Sequence, residues 1–519
     1  MKMITASKNS WINYFQLLLL SLLPAALVSG PLLSEIIINT LSIFFLFEII
    51  IYKKYTRFKN ILFVLLSIFY LILIISLINS NIFSESALNV FSYIRFIIFA
   101  FAAAEILKKN DAFINFFYLS LSLTILFVVL DGYLQFFTGE NLLGYPKYRP
   151  DRLSGFFNDD LILGSYLFRL LPLFLGLTLY LKNRMKYFFH INLVIIFATI
   201  ILIFLSGERS SFILTLLFLV IIILQIDIKK RVLVAVSLLL VLFLSAVLYF
   251  NQTLADRYIS QLQRHLFGNG DKILSYYSPM FNTAYKMFKD KPIFGFGPKS
   301  YRYYCSKEKY VSYYPYTRVK DNTIIQINLT WKDQRNIMID KNFVNVGDKI
   351  KKGEKLFSYY YTANGNIQSK IETYYSDKEG RVKKIIKKNR YINGNVYAEI
   401  EPLVSPEKEI LKINACSTHP HNTYVQLLAE TGFFGFIYVF LFFVYISYLL
   451  IKNFIQIYFF NKRNLSDLEI CLLANFFVIL WPLTTSGNFL NNWLNIISYL
   501  PLGIYLYKKN LIKNHDNNK

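Results

Sequence analysis

Histidine and cysteine are scarce in this 519-residue chain, at 5 and 3. No Cys/His group has the spacing of a zinc site and no Asp-x-Asp pair occurs, which points to metal-independent chemistry with no cofactor. Acidic residues are also in short supply: 32 Asp and Glu face 56 Lys and Arg, a formal net charge of +24. An excess of that size suggests nucleic acid, but the cations fall in short clusters between apolar runs and in one long polar segment. They therefore read as topology signals, and no nucleic-acid partner is expected. Internal repeats are lacking too, which counts against a transporter or flippase built from two matching halves. Apolar surface is what the chain has in abundance. At 55% hydrophobic residues, with 49 Phe, it is too apolar for a soluble protein of this length and reads as a polytopic α-helical membrane protein.

Runs long enough to cross roughly 30 Å of hydrocarbon number about twelve. They lie near 11–29, 32–52, 60–79, 87–107, 112–134, 161–181, 187–205, 210–227, 232–250, 423–451, 467–486 and 492–507. Lys and Arg cluster after the second, fourth, sixth, eighth, tenth and last runs, as in Lys53, Lys54, Arg57 and Lys59, whereas the short loops after the first, third and eleventh carry none. The positive-inside rule then puts both termini in the cytoplasm and the segment from about 251 to 421 outside. No small-residue cleavage site follows the first run, so it is expected to be a retained anchor. The expected organisation is 1–250 as transmembrane helices, 251–320 as the helical part of the outer loop and 321–403 as a β-rich insertion. A loop at 404–422 and the last helices with a cytoplasmic tail at 423–519 complete it.

This topology gathers polar residues on the outer side. They are the loop 135–160, the turn Ser206-Gly207-Glu208-Arg209-Ser210-Ser211, the long loop, and the turn Thr484-Thr485-Ser486-Gly487-Asn488. Two of the few histidines stand together in His419-Pro420-His421-Asn422, where the long polar segment meets an apolar helix. Pro420 keeps the backbone extended and Asn422 suits a helix N-cap. The helix then carries Tyr424, Gln426 and Glu430 among apolar neighbours. His421-Asn422, nine residues, then Gly432-x-x-Gly435 resembles the signature of the O-antigen ligase and polymerase family, membrane enzymes that move lipid-linked glycans. The turn around Arg209 is similar to that family's Arg turn, with Glu208 replacing a small residue. Arg152-Leu153-Ser154-Gly155-Phe156-Phe157-Asn158 resembles its outer loop, and Gly295-Phe296-Gly297 a turn ahead of the His motif. Trp481 to Phe489 is like its late outer turn. The likeness spans roughly 130–310 and 410–505.

The resemblance implies a donor glycan on a polyprenyl diphosphate and an enzyme of the bacterial inner membrane whose large loop is periplasmic. The ligase subtype, which transfers to lipid A core, fits the His-to-Gly spacing. A polymerase that extends a growing glycan stays open, as do a transporter and a scaffold whose insertion binds a partner. His421 is the expected general base, since a sugar hydroxyl is a poor nucleophile near neutral pH. Arg209 either grips the diphosphate or anchors a helix at the interface. A second substrate contact is expected from Arg152, and Asn422, His419 and Glu430 are further candidates for substrate binding, with His419 open to being a plain loop residue. Asn158 or Asp159 either caps the next helix or meets substrate. Arg95 and Arg169 lie deeper and either bind ligand or pair with Glu105 or Asp131, while Glu208 is placed to pair with Arg209.

Within the insertion, the halves Val344–Leu356 and Gly380–Ile400 resemble the barrel-sandwich hybrid of biotinyl and lipoyl carriers. No carrier-type lysine hairpin stands between the halves, so an unmodified module for packing or a protein partner is expected. Cys305 and Cys416 flank the insertion, and an oxidising outer compartment would join them as a disulfide; buried thiols are the alternative.

Overall fold

Backbone that crosses hydrocarbon must satisfy its own N–H and C=O groups, so apolar runs fold as helices. The computed structural model describes residues 2–80, 82–226, 242–263, 277–319, 325–328, 336–363, 366–367, 371–377, 379–386, 396–402 and 408–516. Helices α1 (Lys2–Ala26), α2 (Pro31–Ile51), α3 (Ile61–Ile78), α4 (Phe83–Phe91), α5 (Ile94–Lys108), α6 (Phe113–Thr138), α7 (Leu163–Tyr180), α8 (Lys186–Leu205) and α9 (Arg209–Gln225) precede the polar segment. The helices Thr423–Phe460, Asp467–Ile479 and Asn492–Asp516 follow it. Among the described residues, seven helices are long and apolar enough to cross a membrane, and Trp11–Ala26 and α9 are shorter apolar helices. The chain is a multi-pass membrane protein. The expected run 232–250 lies largely outside the described residues, as do Lys229, Lys230 and Arg231.

By packing, the chain divides into two units, 1–312 with 415–519, and 313–414. In the first, α5 lies against the C-terminal helix Asn492–Asp516, and α7 against both α8 and the helix Asp467–Ile479. Ala100, Ala102, Ala103 and Ala104 are buried on α5, small enough for close helix approach where no water is available to drive packing.

Deep charges find partners that sequence spacing did not single out. Arg95 pairs with Glu35 at 2.8 Å and lies over the Phe96 ring. Glu105 is taken by Arg57, at 2.8 Å, and by Lys108. Asp131 accepts the Leu142 N–H at 2.8 Å. Neither Glu105 nor Asp131 therefore pairs with Arg95 or Arg169: Glu105 is held by Arg57 and by Lys108 on its own helix, and Asp131 by the loop that follows α6.

The second unit is β-rich. Strands β1 (Tyr313–Val319) and β10 (Lys408–Asn414) form a two-stranded antiparallel ribbon from Tyr313↔Asn414 to Val319↔Lys408. One sheet runs β2 (Ile325–Asn328), β9 (Val396–Pro402), β8 (Gly380–Ile385), β4 (Lys349–Ile350). The other runs β3 (Asn336–Asn342), β5 (Lys355–Ala363), β6 (Asn366–Ile367), with β7 (Glu372–Tyr375) also on β5. Both sheets feed one core, which includes Ile339, Leu356 and Phe357 from one and Val382, Tyr397 and Ile400 from the other. The two halves read from sequence meet where β4 pairs β8, Lys349↔Arg381. The unit is wider than the expected 321–403, and takes residues from the expected 251–320 and 404–422 segments. Ribbon pairing joins strands at opposite ends of the insertion, and local pattern cannot show that. Lys378 lies outside the described residues.

Candidate active site

The turn that enters α9 is the foundation of the site. Gly207 adopts φ 72°, and a Cβ there would sit 2.3 Å from the Asp151 carbonyl oxygen, so only glycine lets the loop 149–155 press onto the turn. The Leu153 N–H donates to the Ser206 carbonyl at 3.2 Å. On this base, Arg152 donates to the Leu161 carbonyl at 2.6 Å and lies 3.6 Å from Glu208. Arg257 donates through Nε to the Gly207 carbonyl at 3.0 Å and lies 3.4 Å from Asp151. Arg209 opens α9 within electrostatic range of Tyr277, Tyr258, Arg152 and Asp151. The guanidinium groups of Arg152, Arg209 and Arg257 thus crowd one turn against two carboxylates, a surplus of positive charge suited to a diphosphate. Burial, with Arg209 close by, pulls Arg257 down to about 10, which leaves it charged near neutrality.

Glu208 does not hold Arg209 as expected. Its carboxylate accepts the Gly164 N–H at 2.8 Å and the Ser211 hydroxyl at 3.1 Å, and faces Arg152. An acidic group at the start of α7 satisfies an N–H with no partner inside that helix. That contact also replaces the expected cap from Asn158 or Asp159: the N-cap position of α7 is Ile162, which makes no side-chain cap.

The histidine segment meets the same end of the bundle. His421 takes φ 56°, and its carbonyl accepts the Ser486 N–H at 2.9 Å. The His419 and His421 rings lie 4.2 Å apart, and the Tyr277 ring is 5.8 Å from His421. Ser210 and Thr485 hydroxyls are 2.6 Å apart, which ties the first turn of α9 to the turn that holds His421. Tyr277 is therefore a neighbour of both His421 and Arg209. His419 is engaged at both ring nitrogens, Nε2 with the Ser486 carbonyl at 3.3 Å and Nδ1 with the Thr418 hydroxyl at 3.0 Å. A carbonyl only accepts, so the proton belongs on Nε2. Burial, with His421 and Arg302 nearby, pushes His419 down to about 4; burial alone lowers His421 below its usual 6.5. Both rings are neutral at neutral pH.

Asn422 is the N-cap of the helix Thr423–Phe460. Its side-chain oxygen accepts from Tyr424 N and Val425 N, and its amide donates to the Pro482 carbonyl at 2.8 Å. Glu430 is fully buried, accepting the Gln426 amide at 2.9 Å and the Tyr301 N–H at 3.2 Å. Both were candidates for substrate contact. In the structure their polar atoms are used inside the fold.

The helix is broken at Gly432, φ 65° and ψ −159°. A Cβ at Gly432 would lie 2.4 Å from the Ile293 carbonyl oxygen, and one at Gly295 would lie 2.5 Å from the Glu430 carbonyl carbon. Through that contact the segment 292–301 supplies the missing partners. Phe433 N donates to the Pro292 carbonyl at 2.7 Å, while Phe296 N and Gly297 N donate to the Ala429 and Glu430 carbonyls at 3.1 and 2.9 Å. Irregular backbone inside a membrane protein survives only when protein satisfies it. Gly295-Phe296-Gly297 thus plugs a broken helix.

Residues 193–329 match the O-antigen ligase family model. The chain carries an O-antigen ligase domain. The match takes in Arg209, Arg257, Tyr277 and the plug, and ends within the β-rich unit. His421 and Arg152 lie outside it. No curated protein matches the chain. Sequence reading missed Arg257 and Tyr277 in the O-antigen ligase domain. An arginine just past the ninth apolar run, on the side already rich in site residues, was the available signal.

Cys305 and Cys416 are joined as a disulfide, with Cα atoms 5.1 Å apart. The bond closes 111 residues of chain and lies three residues before His419. Removing it by Cys305→Ser with Cys416→Ser is expected to destabilise the fold by about 2–4 kcal/mol, read as a lower Tm that no longer responds to reductant. An unchanged Tm would show that the bond contributes nothing to stability.

A cavity of about 160 Å³ runs into the bundle from Thr423, Ser486 and Gly487. Its walls are mainly apolar, among them Leu66, Phe69, Tyr438, Phe476 and Leu502. Arg169 lines it. Arg169 makes hydrogen bonds to the hydroxyl and carbonyl of Ser165 on its own helix, and its Nε is buried without a hydrogen-bond partner. No ion pair joins it to another described residue. Its guanidinium also lies over the Phe168 ring, 5.6 Å from the centroid. A guanidinium without a carboxylate partner within a bilayer costs about 2.5–3.5 kcal/mol on insertion scales.

Proposed function

We propose that this protein transfers a glycan from a polyprenyl diphosphate to an acceptor hydroxyl at the periplasmic face of the bacterial inner membrane. The observation that carries the reading is the convergence of His421 and Arg209 through Tyr277 and the Thr485-Ser486 turn. The O-antigen ligase domain supports it. A neutral His421 takes the acceptor proton as the acceptor oxygen bonds to the anomeric carbon. The bond from that carbon to the diphosphate breaks, its electron pair stays with the diphosphate oxygen, and the configuration inverts. Arg209, with Arg152 and Arg257, neutralises the departing diphosphate. No metal enters these steps. His419, Asn422 and Glu430 hold the base and the helix beneath it. Lipid A core is the acceptor in the ligase reading; a growing glycan is the acceptor in the polymerase reading. Both termini are cytoplasmic, and the β-rich unit offers a surface to a protein partner.

Reconstituted protein supplied with polyprenyl-diphosphate glycan and lipid A core is expected to form glycosylated core, undiminished by chelator. Polymerised glycan without core product would select the polymerase, and no transfer to either acceptor would reject the enzyme. Because only the neutral imidazole accepts a proton, kcat/KM falls as pH drops through the pKa of His421. Burial lowers that pKa, so the acid limb is expected below pH 6.5. An acid limb centred above 6.5 would assign the base to another group.

A further inference from the structure

Arg169 lines the apolar cavity beside the candidate site, its Nε buried without a hydrogen-bond partner, and the proposed chemistry does not use it. It sits six residues inside the start of α7, and its contacts with Ser165 turn the guanidinium back toward the outer end of that helix. Glu208, already committed to Gly164 and Ser211 and facing Arg152, acts on it electrostatically without pairing with it. Arg169 therefore lies below the cluster of Arg152, Arg209 and Arg257, at the wall of the apolar cavity. An isoprenoid chain can fill such a cavity but offers a guanidinium nothing to bind. A group that is apolar along its length and anionic at one end satisfies both parts.

We infer that Arg169 binds the phosphate next to the isoprenoid chain of the carrier, with the chain in the apolar cavity and the sugar-side phosphate at the upper arginines. The inference rests on the proposed transfer reaction. It divides the diphosphate between two levels. The deeper level is retained through the reaction, because the phosphate bonded to the lipid leaves still bonded to it; the upper level feels the charge that develops as the glycan departs. Arg169 is thus a carrier-binding residue, and its loss acts on affinity more than on turnover.

Binding of three probes of equal chain length separates the possibilities: polyprenyl monophosphate, polyprenyl diphosphate and the uncharged polyprenol. Wild-type protein is expected to prefer both phosphates over polyprenol. Arg169→Met is expected to weaken both by about 10- to 100-fold, the worth of a charge-assisted hydrogen bond. Arg169→Lys should restore part of it, while Arg209→Met should weaken the diphosphate and spare the monophosphate. Should Arg169→Met bind the monophosphate as wild type does, the assignment is overturned while the transfer reaction stands. If wild-type protein binds polyprenol as well as either phosphate, the carrier reading of the whole site fails instead. An arginine-specific reagent, mapped by mass spectrometry on wild-type protein, gives a second reading that needs no variant. Monophosphate should protect Arg169 and polyprenol should not; equal protection by both, or by neither, overturns the assignment.

Discussion

Replacing His421 by asparagine is expected to lower glycan transfer by about 10²–10⁴-fold, the usual worth of a positioned general base, with lipid-linked donor accumulating. Asparagine is the informative substitution because position 421 has φ 56°, a left-handed conformation that asparagine tolerates and most residues do not. The carbonyl that accepts the Ser486 N–H is kept, so the turn to Thr485 and Ser486 should persist. What is lost is a side chain that can take a proton near neutral pH. His421→Ala removes the same group but adds backbone strain, and a lower Tm in that variant would separate strain from chemistry. His419 offers a control of a different kind: both of its ring nitrogens are held by the protein, so His419→Gln should reduce transfer mainly by loosening the ring beside it. Full transfer by His421→Asn, with donor at wild-type levels, would remove His421 from the mechanism.

The second large effect is expected at Arg209. Arg209→Met should cost about 10²–10³ in kcat, comparable to removing one preorganised donor from a developing negative charge. Arg152 and Arg257 cannot fully replace it: Arg152 is engaged by Leu161 and Glu208, and Arg257 by Gly207 and Asp151. Arg209→Lys should recover only part of the loss, since a lysine keeps the charge without the planar fork that matches two phosphate oxygens. Single-turnover rates with saturating donor test this. If Arg209→Met retains the wild-type rate, the developing charge is stabilised by Arg152 and Arg257 or by a group not yet identified.

The corrections to the sequence reading share one cause. Asn422 and Glu430 looked available because polar residues at the edge of an apolar helix are available until something else claims them. The claims come from Pro482 and Tyr301, far along the chain. Glu208 and Arg209 are adjacent, and adjacency suggested a pair, yet the start of α7 competes for the carboxylate more effectively. The β-rich unit was legible in its two halves because strand residues alternate locally. Its limits were not, because they are set by the pairing of Tyr313 with Asn414.

By itself the sequence determined the membrane class, the apolar runs that form the described spans, the placing of His421 and Arg209 at helix starts, and that of Arg152 in the loop ahead of α7. Each of these depends on hydrophobic runs and charge clusters, which are local properties. Tertiary structure decided which charges are engaged and which face a cavity, that Gly295-Phe296-Gly297 mends a break at Gly432, that Arg257 and Tyr277 come close to Arg209, and that Arg169 lines an apolar cavity. Those outcomes depend on which partner reaches a polar group first when water is excluded, and such competition is settled only when distant segments pack together.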